Sequence, residues 1–147
     1  MTPNERAFLT MLATSEGTEG KGDRGYNVLV GGKLFDGYTD HPRITVRLSD
    51  KLSSTAAGRY QILARVYDSY RAQLHLPDFS PPSQDAIAIQ LIRECRALPM
   101  IAAGRIRDAI NACSSRWSSL PGAGYGQHEN SVNDLVRVYQ RAGGVVA

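Results

Sequence analysis

The chain has little of what usually settles a function by inspection. Its only thiols are Cys95 and Cys113, and both fall on apolar helical positions, where a reduced cysteine behaves as a small hydrophobe. His41, His75 and His128 are widely separated and match no metal-ligand spacing, so neither a metal nor another cofactor is expected. No apolar run is long enough to span a bilayer, and Met1-Thr2-Pro3-Asn4-Glu5-Arg6 has neither the basic leader nor the apolar stretch of a signal peptide. The expectation is a protein that starts in a cytoplasm and does not insert into membranes. Charge of one sign is also scarce: 17 Lys and Arg stand against 14 Asp and Glu, a formal +3. That excess would suit an anionic partner such as a bacterial envelope, but without a basic block or a basic and aromatic cluster it gives no nucleic-acid surface. Gly20, Gly22 and Gly25 share a loop, yet form neither a dinucleotide fingerprint nor a phosphate-binding loop.

What remains is an ordinary globular composition, 42% hydrophobic and 21% charged over 147 residues, which fits one domain over residues 1–147. Thr2-Pro3-Asn4-Glu5 opens a first helix, with Thr2 as N-cap, Pro3 at the first helical position and Glu5 closing a capping box; Gly17 is placed to end it. The segment from Gly17 to Gly25 reads as a mobile loop. Tyr26-Asn27-Val28-Leu29-Val30 and Lys33-Leu34-Phe35 flank Gly31-Gly32, a pair suited to a tight hairpin turn, and Arg43-Ile44-Thr45-Val46-Arg47-Leu48 alternates like a third strand with one wet face. From Ser53 onward helical spacing returns. Leu63, Val66, Tyr67, Tyr70 and Leu74 mark one helix, and Ala86, Ile87, Leu91 and Cys95 a second that starts at Ser80-Pro81. A short turn at Met100-Ile101 follows. Ile106, Ala109, Ile110, Cys113 and Trp117 mark the next helix, and Val132, Leu135, Val136 and Tyr139 the last, which begins near Asn130 or Ser131. One helix, a small sheet and then several helices make an α+β fold.

The residue that stands out is Glu16. Steps of four back from it reach Leu12 and Phe8, so the acid shares the face that the first helix turns toward its core. Burial and the negative end of the helix dipole both disfavour the anion there, and a carboxylic acid kept protonated near neutrality can serve as a general acid. Glutamate in a last turn is as often merely solvated. Glycoside hydrolysis would ask for a second carboxylate, and Asp23, Asp36, Asp40 and Asp50 are the candidates, each better explained as a turn residue. A sugar cleft also wants rings, amides and hydroxyls, for which Ser54, Thr55, Tyr60, Gln61, Tyr125 and Gln127 are candidates. Core packing accounts for Tyr60 equally well.

Several ordered blocks carry a resemblance: Met11-Leu12-Ala13-Thr14-Ser15-Glu16-Gly17-Thr18, Ala57-Gly58-Arg59-Tyr60-Gln61, Asp78-Phe79-Ser80-Pro81, Ala97-Leu98-Pro99-Met100-Ile101 and Ser119-Leu120-Pro121-Gly122-Ala123-Gly124-Tyr125-Gly126-Gln127. In these the chain resembles the lambda-type phage endolysins over nearly its whole length. The resemblance implies a lysozyme-like fold, mainly helical, with a small antiparallel sheet flanking an active-site cleft. It also implies a lytic transglycosylase that cuts peptidoglycan between N-acetylmuramic acid and N-acetylglucosamine, with Glu16 as general acid and then base. The partners implied are the glycan strands and a separate holin-type protein that breaches the inner membrane, the enzyme itself being a monomer that passes from host cytoplasm to periplasm. The alternatives are a hydrolytic muramidase and, more remotely, a non-catalytic murein- or nucleic-acid-binding module. A rival family of hydrolytic phage lysozymes places an Asp and a Thr nine and fifteen residues after the acid; here those positions are Gly25 and Gly31. Relative to the lambda-type pattern the loop from Thr18 to Arg24 is short, and Val66-Tyr67 replaces a tryptophan pair.

Overall fold

A computed structural model describes residues 1–122 and 130–147. Its elements, in order, are α1 (Pro3–Ser15), β1 (Val46–Arg47), β2 (Ser53–Ser54), α2 (Ala64–Leu74), α3 (Pro81–Glu94), α4 (Leu98–Ala102), α5 (Ile106–Cys113) and α6 (Val132–Arg141). The chain divides into two compact units, one made of Met1–Gly17 with Ile89–Ala147 and the other of Thr18–Ala88. None of the described helices is long and apolar enough to cross a membrane.

In the first unit α1 packs on α6 and α4, and α5 packs on α4 and α6. The start of α1 follows the expected chemistry: Thr2 Oγ1 accepts the Glu5 N–H at 3.1 Å and the Glu5 carboxylate accepts the Thr2 N–H at 3.4 Å. The helix is more central than a single apolar stripe implied. Ala7, Phe8, Leu9, Met11, Leu12, Ala13 and Ser15 are all buried, so α1 is covered around most of its circumference. Small residues at positions 7 and 13 allow neighbours on the flanks where a surface helix would carry polar side chains. Gly17, at φ +78°, takes the left-handed conformation that stops the helix directly after Glu16. Ile106, Ala109, Ile110, Cys113 and Trp117 are buried as their spacing predicts, as are Leu135, Val136 and Tyr139. The Cys95 and Cys113 side chains touch, and burial first, then Cys95, pushes the Cys113 thiol up. The Asn4 amide ties the ends of this unit together, donating to the Ile101 carbonyl at 3.0 Å and accepting the Val145 N–H at 3.0 Å.

The second unit is built from turns. Val28 and Leu34 bridge across Gly31-Gly32, with the Leu29 N–H on the Lys33 carbonyl and the Phe35 N–H on the Asn27 carbonyl. The hairpin is therefore present, but as an isolated bridge and not as a pair of sheet strands. The regular sheet is the antiparallel pair β1-β2, Val46 opposite Ser54 and Arg47 opposite Ser53. This narrows the expected strand at 43–48 and replaces the helix approach at Ser53 with a strand. Arg43 cannot join the strand: it sits at φ +55° with its guanidinium on Asp40 and Asp68. Ile44 and Leu48 remain exposed, so the alternation there buries no face. The glycine-rich segment after Thr18, expected to be mobile, is wound into successive turns, with the Lys21, Gly25 and Tyr26 N–H groups on the carbonyls of Thr18, Lys21 and Asp23. Its backbone is fastened by Arg59, whose carbonyl accepts the Thr18 hydroxyl at 2.6 Å and whose guanidinium reaches the Glu19 carboxylate and the Arg24 carbonyl.

Candidate active site

Glu16 caps the C-terminal end of α1, its own N–H on the Leu12 carbonyl at 2.8 Å. The side chain is half-buried, and the protein packed around its carboxyl removes enough water to push the pKa from 4.5 up to about 7. A hydrogen bond from the Ser119 hydroxyl opposes that rise only in part. The helix end points carbonyls toward the same place, which also disfavours the anion. Near neutrality the group is thus divided between acid and base, the state a residue needs if it is to give a proton and take one back. Among the described residues, no charged side chain accounts for the shift.

A polar cluster supports this end of the helix. Ser15 Oγ lies 2.7 Å from Ser119 Oγ. The Asn130 amide nitrogen donates to Ser15 Oγ at 3.0 Å, to the Ser15 carbonyl at 3.1 Å and to the Ser119 carbonyl at 3.3 Å. The Asn130 N–H adds a bond to the Ser119 carbonyl. Residues on both sides of the 120–130 connection are in this way held against the turn of α1 that carries Glu16. Sequence reasoning passed over Ser15, Ser119 and Asn130 as site residues. Ser15 and Ser119 lay within the blocks that carry the resemblance but without a role, and Asn130 stood only as a start of the last helix.

The binding candidates fare unequally. Ser54 lies in β2, and its hydroxyl accepts the Ala56 N–H at 3.1 Å. Thr55 accepts the Ala64 N–H at 3.0 Å and so caps the first turn of α2, where the N-cap residue Leu63 has no side-chain oxygen to offer. Gln61, at φ +53°, donates its amide to the carbonyls of Val28 and Gly58. Tyr60 is 1% exposed and donates its hydroxyl to Asp85 at 2.6 Å, a core placement that leaves no ring face or hydroxyl open to a sugar. Tyr26 donates to the same Asp85 oxygen at 2.9 Å. The neighbouring Gly58, at φ +84°, is obligatory: a Cβ there would stand 2.3 Å from the Gln84 amide oxygen, which accepts the Arg59 N–H. Tyr125 and Gln127 lie outside the described residues.

The four aspartates considered as second carboxylates are locally engaged or exposed. Asp23 accepts the Tyr38 hydroxyl, Asp40 is paired with Arg43 and Asp50 with Arg47, while Asp36 is exposed. Arg43 holds the Asp40 carboxyl below its usual range. His41 is buried between Phe79 and Tyr67, its Nδ1 accepting the Arg43 N–H, which leaves Nε2 to donate to the Ile62 carbonyl. Burial lowers its pKa, so it is a neutral core residue.

A profile of the endolysin family matches residues 6–146. The chain belongs to the endolysin family. It is 57% identical to the endolysin of Escherichia phage lambda over 145 residues, covering 96% of this chain and 92% of that one. It is 52% identical to the endolysin of Escherichia phage P2, over 98% and 95% of the two chains. Among solved structures, bacteriophage lambda lysozyme complexed with a chitohexasaccharide superposes with a TM-score of 0.98 at 54% identity, covering 100% of this endolysin and 98% of that chain. Another structure of lysozyme from bacteriophage lambda gives 0.93 at the same identity. The fold is therefore lysozyme-like α+β, and the protein is a phage endolysin that degrades peptidoglycan.

Proposed function

We propose that this endolysin cuts the bond between N-acetylmuramic acid and N-acetylglucosamine by intramolecular transglycosylation, with Glu16 as the one acid and base. The observation that carries this reading is the setting of Glu16: a half-buried carboxyl at a helix end whose pKa is pushed up to about 7. In its protonated form Glu16 donates to the bridging oxygen as the glycosidic bond to the muramic C1 breaks. The resulting carboxylate then takes the proton of the muramic C6 hydroxyl as that oxygen bonds to C1, closing a 1,6-anhydro ring and restoring the acid. No water is consumed. Because the nucleophile belongs to the substrate, its effective concentration is set by the sugar ring and a second catalytic carboxylate is unnecessary. That Asp40 and Asp50 are tied up with arginines and Asp23 with Tyr38 supports this economy.

That the solved lambda lysozyme is complexed with a chitohexasaccharide supports a glycan-strand substrate, and Ser54, Thr55, Gln61, Tyr125 and Gln127 are the proposed contacts to it. We further infer a monomer that folds as one domain in the host cytoplasm, needs a separate membrane-permeabilising protein, and acts in the periplasm. The deciding experiment is mass spectrometry of fragments released from purified murein. Anhydro-muramic ends, lighter by one water than reducing ends, are expected. Reducing ends would make the enzyme a hydrolytic muramidase and overturn the reading.

A further inference from the structure

We propose that Asn130, Ser15 and Ser119 form a one-way hydrogen-bond chain that ends on the Glu16 carboxyl and eases the acid half of its cycle by stabilising the anion left when the proton is given. The direction follows from donor chemistry. An amide NH2 can only donate, so at the 3.0 Å contact Ser15 Oγ is the acceptor. Its own proton is then free for Ser119 Oγ, 2.7 Å away, a contact that geometry alone leaves open in either sense. With Ser119 Oγ accepting from Ser15, its proton goes to the remaining partner, the Glu16 carboxyl. Each donor polarises the next, so the last hydroxyl is a stronger donor than an isolated serine. Asn130 is itself fixed, since the same nitrogen meets the Ser15 and Ser119 carbonyls and its backbone N–H meets the Ser119 carbonyl.

Such a chain has one preferred state at its end. A donating hydroxyl favours the carboxylate over the acid, while burial favours the acid. Without the chain, burial would hold Glu16 protonated through neutrality and leave it slow to release its proton. With it, the anion left after the leaving oxygen is protonated has a donor already aimed at it. The chain itself moves no proton, because the Asn130 amide has none to spare. Ser119 is thus a positioning residue that acts through Glu16. Among the described residues, charged groups from the packed elements do not compete: Asp134 and Arg137 on α6 pair with each other, Arg141 on α6 is exposed, α4 carries no charge, and Arg116 pairs with Glu94.

The inference rests on Glu16 being the catalytic acid, and its test keeps the two separable. The Glu16 side-chain carboxyl is titrated by carbon-13 NMR in the full-length protein and in the Ser119→Ala, Ser119→Thr and Asn130→Ala variants, with lysis by Glu16→Gln measured alongside. Ser119→Ala should raise the midpoint by about half to one pH unit, and the falling limb of the rate profile should move with it. Ser119→Thr, which keeps the hydroxyl, should restore both. Asn130→Ala should move the midpoint the same way by less, because Ser15 is then free to turn. A midpoint in Ser119→Ala within ~0.2 units of the parent protein would overturn the chain whatever happens to lysis. A midpoint that moves as expected while Glu16→Gln still lyses fully would leave the chain standing as a tuner of this carboxyl and sink the catalytic reading instead.

Discussion

Of the carboxylates that receive hydroxyls in this protein, Asp85 and Glu16 sit in opposite settings, and the difference separates chemistry from architecture. Asp85, on α3, receives two phenols on one oxygen, Tyr60 at 2.6 Å and Tyr26 at 2.9 Å, and the tyrosines are locked in turn: burial and Asp85 together push both phenols up. Among the described residues, Glu16 receives one hydroxyl, that of Ser119, in a setting where burial dominates, and its pKa comes to rest at about 7. Two donors on one oxygen make a knot in the core. One donor set against desolvation makes a group that changes charge near neutrality.

The comparison breaks most sharply at Glu16. Glu16→Gln keeps the shape and removes the proton, and lysis should fall by about 10²–10⁴-fold with binding to murein retained, since that is the range general acid and base catalysis supplies. Lysis assays paired with a murein pull-down check it, and unchanged lysis would remove Glu16 from the mechanism. At Asp85 the large effect should be on stability. Asp85→Ala leaves two phenols without their acceptor and should cost about 2–4 kcal/mol in urea unfolding, while the pH limb of the surviving activity stays where it was.

The pH dependence of stability sharpens the contrast. In the unfolded chain Glu16 titrates near 4.5 and in the folded one near 7, so the folded state binds this proton more tightly. The stabilisation it gives is full below 4.5 and lost as pH rises through 7. Glutamine does not titrate, so Glu16→Gln should gain on the parent protein between those values and exceed it by about 1–2 kcal/mol near pH 8, discounting for the part open to solvent. Melting curves at several pH values read this directly, and a constant difference across the range would contradict the raised pKa. The smallest effect belongs to Tyr60→Phe. Deleting one of two donors to Asp85 should cost about 1 kcal/mol by denaturation and leave the rate of lysis unchanged. A rate loss in a folded Tyr60→Phe protein would bring that hydroxyl back as a sugar contact.

What could be read from the chain alone tracks how local each feature is. The capping box at Thr2 and Glu5, the stop at Gly17 and the stripes of α5 and α6 each depend on residues a few positions apart, and all were legible. Strand β2 was not, because Ser53 and Ser54 have no strand signature of their own and become a strand by meeting Val46 and Arg47. Tyr60 stood evenly between core and site for the same reason: its partner lies 25 positions on. Glu16 could be singled out because its apolar neighbours and its helix end are both local. Ser119 and Asn130 could not, since their contacts to Ser15 span 104 and 115 positions.

Those spans bear on how the protein is made. The helix bearing Glu16 leaves the ribosome well before the residues that share its compact unit, from Ile89 on. The partners of α1 within its unit, α4 and α6, lie in the later segment, so the unit can close only once that segment has emerged. A chain cut short before Asn130 would contain Glu16 yet lack the Asn130 contacts that fix Ser15 and Ser119. The turn that carries Glu16 is therefore fixed in place only after the chain has passed through the whole of the other unit.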